Sequence, residues 1–262
     1  MTPDTATVDD LLGGALKLRQ PRHGYRISID TVLLAAAIPA VPGQRVLEVG
    51  MGTGGAALAL AYRCQQVHVT GLEAQPSLAD FARANIALNG LDGRIDIVIG
   101  SLDQPVLNGR DRFDHVFANP PYHDPSRGEA SPYADKARAH CHDHLSLADW
   151  VAFCLAHVRH KGSITFIHRA DRMADLIALL APRAGDVTLL PLWPKPGRAA
   201  KRVIIQARRG SKGGSRVLPG LVLHGHDVRY TAEAESVLRH GRALSLAPEA
   251  APHALKKANG FA

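Results

Sequence analysis

The stretch that decides the fold is Arg45-Val-Leu-Glu-Val-Gly-Met-Gly-Thr-Gly-Gly-Ala56. Residues 45–50 form a short apolar run of strand character, and glycines follow at 50, 52, 54 and 55. Residues 56–62 then have helical composition. A buried strand entering a helix through a glycine turn opens a doubly wound α/β sheet. Its glycines let a ligand approach the main chain, and the free N–H groups of the helix face that ligand. Two spacings are satisfied at once: Gly50, Gly52 and Gly55 fit GxGxxG, whereas Glu48, Gly50, Gly52 and Gly54 fit ExGxGxG. The loop alone does not choose between them.

Working outward, residues 67–72 read as a second strand, ending at Glu73. Its carboxylate lies nineteen residues beyond Gly54, the spacing at which an acidic group accepts from ribose hydroxyls. A helix over 77–89 and a third strand over 95–99 follow, with Ser101, Leu102 and Asp103 at the strand's carboxyl end. Asp103 there suits either an adenine amino group or a surface turn. A fourth strand, 113–118, runs into Asn119-Pro120-Pro121-Tyr122. Two successive prolines cannot continue a ladder, so Asn119 and the Pro120 carbonyl are held stiffly where ligands of such sheets sit. A stiff pair of acceptors beside an aromatic ring suits a planar amino group better than a phosphate.

Upstream, residues 1–18 predict a short helix or hairpin, and 20–30 a loop containing Tyr25 and Arg26. Asp30 is the expected N-cap of a helix over 31–37, apolar on every face and therefore buried. Downstream, 123–134 is a Pro-, Gly- and charge-rich loop on the ligand side. His140-Cys-His142-Asp-His144 has two histidines four apart, but no third acidic ligand completes a metal site, and none is expected. A helix over 145–160 should stop at Lys161-Gly162, before a strand at 163–167, a helix at 173–180 and a strand at 187–192. The link 193–202 is too short for a helical crossover, so the strand at 203–207 should pair antiparallel. That link carries Lys195, Arg198, Lys201 and Arg202, which would line the rim of the site; Arg208, Arg209, Lys212 and Arg216 extend the positive run. An eighth short strand at 221–223 and a helix at 231–239 capped by Thr231 close the fold, and a disordered tail is expected beyond Leu246.

The 262 residues carry a net charge of +7 and a pI near 9.6, which favours an anionic partner. Three scattered cysteines are not expected to form a disulfide framework, the polar Met1-Thr-Pro-Asp start has none of a signal peptide's basic and apolar regions, and no membrane span is expected. The cytoplasm is the expected compartment. The expected organisation is an N-terminal capping segment (1–44), a Rossmann-like core (45–210), a C-terminal extension (211–245) and a tail (246–262). The core should be a seven-stranded, mostly parallel sheet with an antiparallel last strand.

Glu48-Val-Gly50-Met-Gly52-Thr-Gly54, Glu73 and Asn119-Pro-Pro-Tyr122, in this order, resemble the class I S-adenosylmethionine-dependent methyltransferases that act on a planar amino nitrogen. That resemblance settles the glycine-loop ambiguity. Leu12-Gly-Gly14, Gln20-Pro21, Gly24-Tyr-Arg26 and Asp30-Thr-Val-Leu-Leu-Ala35 narrow it to the bacterial tRNA1(Val) adenine-37 N6-methyltransferase family. It implies that Tyr25, Arg26, Asp30, Glu48, Gly50, Gly52, Gly54, Glu73, Ser101, Leu102, Asp103 and Asn119 serve S-adenosylmethionine. Asn119, Pro120 and Tyr122 would serve catalysis, and a tRNA or other structured RNA is the implied substrate. A guanine-N2 ribosomal-RNA enzyme, a protein glutamine-N5 enzyme and a non-catalytic RNA binder are the alternatives.

Overall fold

The computed structural model describes residues 6–104, 107, 112–122 and 145–247. The expected loop at 123–134, the His140–His144 cluster and all of the tail after residue 247 lie outside them. Residues 6–21 resolve the N-terminal choice as a hairpin, β1 (Ala6–Leu11) and β2 (Leu16–Pro21). Two side chains of helix α3 (Pro76–Leu88) and its end hold it: Asn85 and Asn89 each pair with both main-chain groups of Arg19 and Lys17, at 2.6–2.9 Å. These carboxamides satisfy a strand edge that would otherwise be unpaired.

The main sheet contains β3 (Arg45–Val49), β4 (His68–Glu73), β5 (Ile95–Ile99), β6 (Phe113–Ala118), β7 (Val158–Arg169), β8 (Ala184–Trp193) and β9 (Arg202–Arg209). Their spatial order is β5-β4-β3-β6-β7-β9-β8, parallel throughout except that β9 runs antiparallel between β7 and β8. The order reverses between β3 and β6, so the switch-point crevice opens beside the glycine loop and Asn119. Two further strands, β10 (Arg216–Val217) and β11 (Leu221–Val222), add to β8, making nine among the described residues; β11 is the short eighth strand expected at 221–223, and β10 is additional. β10 is two residues long, too short to carry a hydrophobic pattern.

Each face of the sheet is covered. Helices α1 (Ile29–Ala36), α2 (Gly55–Arg63) and α6 (Ala232–Leu238) share one apolar cluster with the hairpin and Val46. Helices α4 (Leu147–His157) and α5 (Met173–Leu180) share the other with Leu47 and Val49. No helix among the described residues is long and apolar enough to cross a membrane.

Two expectations need correction. Helix α1 is capped by Ser28, whose hydroxyl accepts from the Asp30 amide at 3.2 Å, so Asp30 falls in the first turn with its carboxylate free to reach elsewhere. Helix α4 ends at His157, and 158–162 already belong to β7. The register against β6 jumps from Phe113↔Val158 to His115↔Ser163, so the chain bulges there with Lys161 at φ +63°. Gly162 is therefore no helix stop; a Cβ on it would lie 2.6 Å from the Asp114 carbonyl oxygen.

Candidate active site

Four adjacent parallel strands each deliver polar groups to the same carboxyl edge. At the end of β3 the chain turns through Gly50, Gly52 and Gly54, all at positive φ. A Cβ on Gly52 would lie 2.4 Å from the Tyr25 hydroxyl, and one on Gly50 would lie 2.7 Å from the Trp150 ring. Glycine is required here because the loop must bend left-handed under two close aromatic side chains.

Glu48 is buried near the end of β3, and its Oε2 has no hydrogen-bond partner among the described residues. Burial, with the neighbouring Glu73 charge adding to it, raises its carboxyl well above the usual range. Glu73, at the end of β4, accepts from the amides of Gly52 at 2.7 Å and Gln75 at 2.9 Å. Burial raises its pKa too, against the lowering effect of those amides. At the end of β5 the Ser101 hydroxyl is buried without a partner, Leu102 packs on the α4-side cluster, and Asp103 is exposed. At the end of β6 the Asn119 Oδ1 is likewise buried and unpartnered, and Pro120 is buried beside it.

A cluster over the Asn-Pro-Pro-Tyr turn joins residues from three parts of the chain. The Tyr122 hydroxyl donates to Asp30 Oδ2 at 2.7 Å, and Arg202 Nε donates to the same oxygen at 3.1 Å. The Arg202 guanidinium lies 4.4 Å from the Tyr122 ring centroid, within cation–π range. His168 meets that ring edge-on at 5.3 Å. Burial raises the Tyr122 hydroxyl pKa, with the Asp30 charge adding to it, so the phenol stays protonated. Burial, then the charges of Arg172 and Arg202, push His168 down to about 4, so it is neutral near pH 7. Tyr122 and His168, together with Trp150 and Arg172, line a narrow cleft against Pro120 and Pro121.

The sequence-derived residues thus separate into groups. Tyr25, Gly50, Gly52, Gly54 and Glu73 meet at the glycine loop. Asp30 and Tyr122 meet above Asn119's turn, and Arg202 joins them: it is half-buried, unlike the exposed Lys195, Arg198 and Lys201. The Arg26 guanidinium is held on the hairpin by Asp9, Thr7 and the Pro21 carbonyl. The run continued by Arg208, Arg209 and Lys212 does not extend the rim. Antiparallel β9 carries the chain from Arg202 at the carboxyl edge to Arg209 at the opposite edge. His168, Trp150 and Arg172 were not singled out in the sequence. The available signal was positional: His168 is two residues past Phe166, which pairs with the last residue of β6.

S-adenosylmethionine, the donor that the resemblance implies, fits this donor set. A carboxylate at the end of β4 suits ribose hydroxyls, and the glycine loop admits the ligand against the main chain. The orphaned Ser101 hydroxyl is a buried polar group at the same crevice. Glu73, the glycine loop, Ser101 and the Tyr25 cover are the groups that would hold it.

Residues 25–143 match the family described as Methyltransferase small domain. A protein of Yersinia pestis named tRNA1(Val) (adenine(37)-N6)-methyltransferase is 33% identical over 238 residues, 85% of this chain and 91% of its own. A protein of Porphyromonas gingivalis with the same name is 33% identical over 180 residues, 63% of this chain and 69% of its own. Among solved structures, a predicted O-methyltransferase of Agrobacterium tumefaciens superposes with a TM-score of 0.68 at 25% identity, covering 82% of this chain and 98% of that one. A Thermotoga maritima O-methyltransferase, 17% identical with a TM-score of 0.52, shares the fold over 73% of this chain and 68% of its own. With nine-tenths of the Yersinia relative's length covered at this identity, the chain is a class I methyltransferase and belongs to the family of the tRNA1(Val) (adenine(37)-N6)-methyltransferases.

Proposed function

We propose that this protein transfers a methyl group from S-adenosylmethionine to the N6 nitrogen of an adenine in structured RNA, with adenosine 37 of a tRNA anticodon loop as its target. The observation that carries the reading is the buried, unpartnered Asn119 Oδ1 at the end of β6. A buried acceptor without a donor costs about 1–3 kcal/mol, and an incoming amino group removes that cost. The names of the relatives point the same way, since those proteins are called adenine-N6 enzymes.

When bound, the donor supplies an electrophilic sulfonium methyl; the chain's residues position and desolvate the acceptor. Asn119 Oδ1 and the Pro120 carbonyl each accept one N–H of the exocyclic amine. This draws the nitrogen lone pair out of conjugation and stabilises the positive charge that grows on nitrogen. Arg202 packs over the Tyr122 ring, and this ring is the group on which the base would stack. No general base is needed during transfer, because the nitrogen proton becomes acidic once the carbon–nitrogen bond forms. The base must leave its own stack to enter, which costs least in a loop. Lys195, Arg198 and Lys201 are exposed on the β8–β9 link at the same edge and suit the backbone of the flanking nucleotides.

Steady-state methylation of tRNA by Asn119→Ala tests this reading. The rate should fall at least ~100-fold while the affinity for S-adenosylmethionine stays within about twofold. Unchanged turnover would mean that Asn119 only shapes the turn.

A further inference from the structure

The second positive surface of the molecule lies on the sheet edge opposite the site. Lys161 and Arg159 protrude from the bulge at the start of β7, Arg208 and Arg209 end β9, Arg183 precedes β8, and Lys212 follows β9. All are exposed except the half-buried Arg209. Arg159 is paired with Asp114 at 3.0 Å. The others differ: Lys161, Arg208 and Arg209 donate to the main-chain oxygens of Gly210, Lys161 and Val158, which carry no countercharge. Among the described residues, no carboxylate forms an ion pair with Lys161, Arg183, Arg208, Arg209 or Lys212. The charges of Lys161, Arg208 and Arg209 are thus held by neutral acceptors and not by ion pairs. The positive charges of Arg208 and Arg159 reach inward and help to depress the buried His115.

We propose that this edge is a second contact surface for the sugar–phosphate backbone of the same RNA, engaging its body while its loop occupies the active site. The inference rests on the RNA reading proposed above. Ser163 pairs with Arg208 and Arg169 with Arg202, so the two edges are six strand residues apart, ~20 Å at about 3.3 Å each. An RNA that reaches both the rim and this edge must extend past the few nucleotides at the site and around the protein, as a full-length tRNA can. Preorganised arginines with open N–H groups suit phosphate oxygens, and uncompensated cations are the source of salt-dependent binding.

The test compares full-length tRNA with its isolated anticodon stem-loop on wild type and on Lys161→Ala/Arg183→Ala/Arg208→Ala/Lys212→Ala, none of which touches the site. Thermal melting checks that the variant is folded. For full-length tRNA the variant should bind at least ~10-fold more weakly. Its salt slope should be flatter by ~0.7–0.9 for each phosphate that the variant no longer neutralises. Stem-loop binding and kcat should be unchanged. As control, Lys195→Ala/Arg198→Ala/Lys201→Ala should weaken both RNAs. Equal binding of full-length tRNA by wild type and variant overturns the second surface, while methylation of tRNA in the same assay leaves the functional reading standing. Loss of binding to both RNAs in equal measure also overturns it, since the edge would then act as part of the rim. Wild type that binds neither RNA and methylates only protein fails the functional reading itself, and this inference with it.

Discussion

Arg202→Ala separates two roles for the arginine at the start of β9. In the structure it donates to Asp30 and covers the Tyr122 ring; side-chain exposures of 31% and 12% put the Arg202–Asp30 pair between a surface pair and a buried one. Truncation removes a charged hydrogen bond worth about 1.5–3 kcal/mol and a cation–π interaction worth ~0.5–1 kcal/mol. It also leaves a mostly buried carboxylate held, among the described residues, by the Tyr122 hydroxyl alone. If the cluster fixes the ring on which the base stacks, a loss of ~2–3 kcal/mol lowers kcat/KM by roughly 30–150-fold. The fall should appear in kcat and persist at every ionic strength. Arg202→Lys keeps the charge without the planar face and should recover part of the loss. Tyr122→Phe, which removes only the hydroxyl, should cost less, ~1 kcal/mol. Steady-state kinetics at several salt concentrations, with calorimetric donor affinity alongside, reads all of this. An unchanged kcat with a flattened salt slope would refute the positioning role and make Arg202 a phosphate ligand like its exposed neighbours.

Two further outcomes follow from the buried ionisable groups. Glu73→Ala should weaken S-adenosylmethionine binding by ~1–3 kcal/mol, because it removes the ribose acceptor and frees the Gly52 amide; undiminished affinity by calorimetry would exclude that role. His115 sits between Ser163 at 2.7 Å and Gln44 at 2.8 Å, and burial, against the pull of Asp114, leaves its pKa at about 4 rather than 6.5. The unfolded chain therefore binds more protons between these values. Stability from this residue is complete above about 6.5 and falls as pH drops toward 4, by at most about 3 kcal/mol. Glu48 and Glu73, raised in the fold, act with the opposite sign, but in wild type and variant alike. Urea melts of His115→Gln should hence show a shallower stability loss from pH 7 to 4 than wild type; an equal loss would contradict the assignment.

Local signals made the crevice legible. The β3–loop–α2 unit needs three left-handed glycines within five residues, and two prolines after β6 mark a strand end wherever they occur. The antiparallel β9 followed from the length of the link before it. What stayed hidden depended on partners distant in sequence. Arg202 looked like one more rim cation because Asp30, 172 positions away, is what turns it inward. His168 and Trp150 enter the cleft from β7 and α4, and only the register of β7 on β6 brings His168 alongside. Ser28 and Asp30 are both good caps, and the choice between them lay in backbone conformation. The basic run from 195 to 212 seemed continuous, although a strand of eight residues necessarily delivers its two ends to opposite edges.

The central claim is the identity of the product. The most direct measurement is mass spectrometry of nucleosides and mapped fragments from unmodified tRNA incubated with the wild-type enzyme and S-adenosylmethionine, with Asn119→Ala in parallel. N6-methyladenosine is expected at position 37 of the anticodon loop with wild type, and at least ~100-fold less of it with the variant. N2-methylguanosine in ribosomal RNA, or N5-methylglutamine in protein with none in tRNA, would contradict the claim.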